Sequence, residues 1–108
     1  MLPYTEQINA GIALLNSKCP GWQDRIDLSK LDMLSGYHCI LGQLYGDDDR
    51  GLEELGLKYE DEEKYGFNTD GMNSAINVIL THTWRIMILM NAEMQERHDR
   101  IIVASPAV

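Results

Sequence analysis

From Met72 to His98 the chain contains neither proline nor glycine, and its apolar residues recur at helical spacing. With Ile76 as zero and about 100° per residue, Ile79, Leu80, Thr83, Met87, Met90 and Met94 fall within about 60° of it. Asn68, Thr69 and Asp70 offer N-terminal caps just upstream. This predicts a long amphipathic C-terminal helix with its core face centred on Ile76. Apolar residues also lie off that stripe: Trp84 near about 80°, Ile88 near about 120°, and Val78 and Leu89 near about 200–220°. A helix apolar on more than one side is central in its bundle or offers a face to another chain.

The remaining elements are short. Tyr4, Ile8, Ile12 and Leu15 share a helical face with Gly11, Pro3 suits a first turn, and Cys19-Pro20-Gly21 is a firm stop. A first helix is expected at about residues 3–18. Asp27 is placed to cap a turn from Leu28 to Leu31. Ser35 reads as the N-cap of a second helix through Tyr45, burying Tyr37, Ile40, Leu41 and Leu44, with Gly46 as its stop. Gly42 inside it suggests close approach of another backbone. A short helix near 49–55 ends at Gly56, and a further turn runs through Glu60–Tyr65. The Ile101-Ile102-Val103 triplet is the only local strand signal.

Residues 47–63 carry nine acids and two bases, a balance of -7 in a 108-residue chain whose net charge is -8. Such a charge disfavours binding nucleic acid through its phosphates and favours basic partners. The length fits one domain, assigned to 1–100, with 101–108 as a loosely held tail. Two cysteines are too few for a disulfide framework, and the first residues lack the basic and apolar regions of a signal peptide. A cytoplasmic protein that does not enter a membrane is expected.

The pieces P-G-W-x-D-R-I-D-L-x-x-L-D (Pro20–Asp32) and C-I-L-G-Q-L-Y-G (Cys39–Gly46) form one set with Leu55-Gly56-Leu57, Tyr65-Gly66-Phe67 and Leu80-Thr81-x-x-Trp84-Arg85. Together they resemble a family of small uncharacterised proteins of actinobacteria and their bacteriophages. The likeness covers roughly residues 10–90. It implies a cellular setting, and in a phage a role toward host machinery, rather than a chemistry.

Motifs for catalysis are weak. Cys39 follows His38, but neighbours on a helix point about 100° apart. A nucleophile elbow and a P-loop are both missing from the sequence. Cys19, Cys39, His38, His82 and His98 lack the short paired spacing of zinc ligands. EF-hand loops started at Asp47 or Asn68 fail at positions 5 and 12, which leaves a solvated acidic loop. Neither metal nor cofactor is expected, and the chain does not read as an enzyme.

The sequence therefore points to a small all-α bundle, its long C-terminal helix packed on two shorter N-terminal helices beneath an acidic connection. The expected function is a non-enzymatic protein-interaction module, in a phage a modulator of a host protein. Trp84, Ile88 and Leu89 would anchor a protein partner or a second copy, while Asp47, Asp48 and Asp49 would orient it. The alternatives are an acidic mimic of the phosphate backbone that inhibits a nucleic-acid-binding protein, or a small helical nucleic-acid-binding regulator.

Overall fold

The computed structural model describes residues 2–69 and 72–104, with side chains through Asn91. The chain folds into α1 (Thr5–Lys18), α2 (Ile40–Tyr45), α3 (Asp48–Leu55) and α4 (Ser74–Ala104). Two short 3₁₀ turns lie at Trp22–Arg25 and Tyr59–Asp61, and no strand occurs among the described residues. The expected small helical bundle is the fold observed.

Helix α1 buries Ile8, Gly11, Ile12 and Leu15, the face read from the sequence. Pro3 precedes the helix, and Tyr4 enters it with a left-handed backbone at φ 63°. Helix α3 ends at Gly56 as expected and is capped at its start by Asp47. The Asp47 carboxylate accepts the Arg50 N–H at 2.7 Å, and Gly56 ends the helix at φ 71°.

Helix α2 is shorter than expected. It starts at Ile40, and Ser35 instead turns the preceding loop, its hydroxyl accepting the N–H groups of Tyr37 and His38. Tyr37, assigned to a buried face, is 71% exposed. The cause lies at Gly42, where an added Cβ would sit 2.4 Å from the Gly36 carbonyl oxygen. The loop backbone crosses over α2 at this glycine, so residues 36–38 cannot also extend the helix.

Helix α4 is where expectation and structure part. Its buried set is Leu80, Thr81, Thr83, Trp84, Met87 and Ile88, a face rotated about 60° from Ile76. Ile79 and Met90, expected inside, are 42% and 53% exposed. Polar residues occupy the inner side for a reason. The Thr81 hydroxyl accepts the Met33 N–H and donates to Asn77, whose amide donates to Asp32 at 2.8 Å. Arg85 donates to the carbonyls of Leu28 and Leu31. Residues 28–33 form no helix: the N–H groups of Ser29 to Asp32 are bonded within the loop, and α4 supplies the partners of the Met33 N–H and of the Leu28 and Leu31 carbonyls.

An aromatic group fills the centre. Trp84 is fully buried, stacks on Phe67 at 5.9 Å between ring centroids and meets Trp22 edge-on at 6.4 Å. The 31 residues of α4 make a rod of about 46 Å. That rod accounts for a molecule measuring 54 × 30 × 23 Å, with a radius of gyration of 14.9 Å, above the about 13 Å of a compact chain this size. Helix continues through Ala104. Residues 105–108 of the expected tail lie outside the described residues.

Candidate functional site

The residues assigned to a partner surface separate into two places. Trp84 and Ile88 belong to the core, with exposures of 0% and 3%, so neither can anchor a partner. The error follows from the phase of α4: what looked like a flank is its inner face. Leu89 is 54% exposed and stays on the outside, as does Val78 at 67%. With Ile79, Met90 and the partly buried Ile86, they form an apolar rib along the outer side of α4. Met90 also lines a shallow groove with Ile12 and Met87 between α1 and α4. This rib includes two residues, Ile79 and Met90, that periodicity had placed in the core.

Asp47, Asp48 and Asp49 lie at the α2–α3 corner, a different part of the molecule from the outer rib. One carboxylate oxygen from each falls within 4.8 Å of the other two. Asp49 accepts a hydrogen bond from the Tyr59 hydroxyl at 2.6 Å, and this pairing holds the phenol above its ordinary pKa. The turn beyond α3 adds Glu62, one of the acids expected to be solvated. Glu62 is 9% exposed and lines a cleft of about 130 Å³ with Asp48, Phe67, Asn68 and Met72. Burial first, then the charges of Asp48 and Asp49, raises its carboxyl above the usual carboxylate value. Its position depends on the turn at Tyr59–Asp61, where Asp61 accepts the Lys58 N–H, and linear spacing carries no trace of that.

The two most distinctive sequence segments clasp each other. Gln43 donates to the carbonyls of Asp27 and His38, and its own carbonyl accepts the Asp27 N–H at 2.6 Å. Arg25 donates to the Leu44 carbonyl at 2.7 Å, covering the C-terminal end of α2. The Cys39 sulfur accepts the Gly42 N–H and caps the same helix. Burial pushes the Cys39 thiol up to about 11, so it is not a thiolate near neutral pH. The His38 ring lies beside the Ser35 hydroxyl at 3.3 Å. These residues serve the fold.

No helix among the described residues is long and apolar enough to cross a membrane. Compared with family models, curated proteins and solved structures, the chain matches none.

Proposed function

We propose that this chain is a non-enzymatic protein-interaction module that docks an apolar helix of a partner protein along the outer rib of α4. The observation that carries this reading is the exposure of Val78, Ile79, Leu89 and Met90 on one side of a single helix. Arg85 does not cover them, because it turns inward to the Leu28 and Leu31 carbonyls. The partner carries net positive charge, because the net charge of this chain is -8. Such a field raises the encounter rate, while the apolar rib sets the lifetime of the complex. The commitment of Arg25, Cys39 and Gln43 to internal bonds supports a role without catalysis. Two free cysteines fit a reducing cytoplasm. The resemblance to actinobacterial and phage proteins favours a host protein as the partner.

The test is retention of proteins from the source cell on the immobilised chain, with wild type, Val78→Asp and Leu89→Asp side by side. Folding of each is checked by circular dichroism. A protein held by the wild type and released by both folded variants supports the rib. Equal retention by all three refutes it. A wild-type mass of twice the chain, reduced to that of the monomer by Leu89→Asp, reassigns the rib to a second copy.

A further inference from the structure

We propose that the partner helix carries one acidic side chain, Glu or Asp, at the middle of its apolar stripe, received by Arg85 and His82 in the cleft between α4 and the 28–33 loop. This rests on the docking of such a helix along the outer rib. Val78, His82, Arg85 and Leu89 follow one another at intervals of four, three and four residues, which sets them within about 60° of each other around α4. That is the spacing of a seam between two packed helices. The ends of the seam are apolar and exposed, Val78 at 67% and Leu89 at 54%. Its middle is basic.

The cleft beside that middle has a volume of about 310 Å³, and Leu31, Asp32, Val78, His82 and Arg85 are among the residues that line it. Val78 belongs to both cleft and rib, so the two surfaces are continuous. Arg85 is half-buried, and its guanidinium is held in place through Nε by the Leu28 carbonyl and through Nη2 by the Leu31 carbonyl. The arginine fork has more N–H donors than these two bonds use, and Nη1 donates to none of the described residues. Asp32, the one carboxylate lining the cleft, is turned to other donors: its Oδ1 accepts the Leu34 N–H and the Asn77 amide. His82, one turn before Arg85, is exposed.

A guanidinium bonded to neutral carbonyls keeps its whole charge, and one already fixed in position loses little freedom on meeting a carboxylate. An apolar or basic side chain laid over this spot would cover the charge without answering it. Polar positions inside an apolar seam fix the register of the two helices, and their sign rejects wrong partners. Val78 and Leu89 are eleven residues apart, about 16 Å along the axis. The partner stripe therefore runs for three turns with its carboxylate in the central one, although the partner as a whole is positively charged.

Three labelled helical peptides are the probes. Each has a three-turn leucine stripe with Glu, Gln or Lys at its middle, and a compensating change on the opposite face gives all three the same positive net charge. Fluorescence anisotropy with the full chain gives the affinities. Wild type should hold the Glu peptide about tenfold tighter than the Gln peptide and the Lys peptide most weakly. His82→Glu, at an exposed position, should cancel or invert that order, and Arg85→Gln, checked for folding by circular dichroism, should erase it. Equal affinity of wild type for the three peptides overturns the cleft; if Val78→Asp then weakens all three alike, the rib stands without it. No binding, or binding that Val78→Asp leaves unchanged, overturns both readings. N-acetylglutamate bound as tightly as the Glu peptide assigns the cleft to a small acid and overturns its role in helix docking.

Discussion

The indole N–H of Trp84 donates to the carbonyl oxygen of Gly66 at 2.6 Å, joining the buried face of α4 to the loop that precedes it. Gly66 holds φ 72°, a backbone that glycine adopts freely, with Ile8 of α1 packed against it. Replacing Trp84 by Phe keeps much of the ring stack but leaves that carbonyl unpaired. The expected cost is about 1–3 kcal/mol. Trp84→Ala removes the centre of the core and should cost about 3–5 kcal/mol. Urea unfolding followed by circular dichroism measures both.

Adjacent residues on α4 should behave in opposite ways. Ile88→Asp buries a charge and should leave little folded protein at room temperature. Leu89→Asp changes an exposed position and should cost no more than about 1 kcal/mol. Equal losses in the two variants would mean that the phase of α4 described here is wrong.

Gly11 faces the Tyr65 carbonyl oxygen, which an added Cβ would approach to 2.2 Å. Backbone cannot yield as a flexible side chain can, so Gly11→Ala should destabilise by about 3 kcal/mol or more. Its melting temperature would fall by about 10 °C or more. A variant that melts with the wild type would show that α1 can move away from the loop.

The raised carboxyl of Glu62 fixes a sign. Its folded value lies above the unfolded 4.5, so the folded chain binds the proton more readily and the carboxylate penalises folding at neutral pH. Lowering the pH through the folded value toward 4.5 relieves that penalty. Glu62→Gln should therefore be more stable than wild type at pH 7, and the gap should close on acidification. Paired denaturation curves between pH 4 and pH 8 (a range of about four units around the usual carboxylate value) give the comparison.

Thiol labelling separates the two cysteines. Cys39 is buried, with its thiol pushed up to about 11, whereas Cys19 is half-buried beside Arg25. A thiol reagent at mildly alkaline pH should modify one cysteine in the folded chain and both in denaturant. Rapid loss of two thiols in the native protein would contradict the capping role of Cys39.

Much of this fold is legible in the sequence where one local signal dominates. The stop at Cys19-Pro20-Gly21 and the Gly56 terminator both act within a few residues of where they stand. The phase of α4 was not legible, because its inner face carries Asn77 and Thr81 among the apolar residues. Their bonds run to Asp32 and Met33, almost fifty positions away, and hydrophobic averaging counts such residues as outward. Glu62 was hidden for a related reason: only the folded turn brings it to the cleft that Asp48 and Phe67 line.

The dependence of residues 28–33 on Asn77, Thr81 and Arg85 ties their ordering to that of α4. The N–H groups of Ser29 to Asp32 are held within the loop itself, but the Met33 N–H and the Leu31 carbonyl are met by side chains of α4, so this stretch completes its bonding only when the long rod docks. Trp22 and Phe67 likewise wait for their third ring. The loop between α1 and α2 therefore reaches its final geometry together with α4, and the two should gain or lose protection from amide exchange as one cooperative unit.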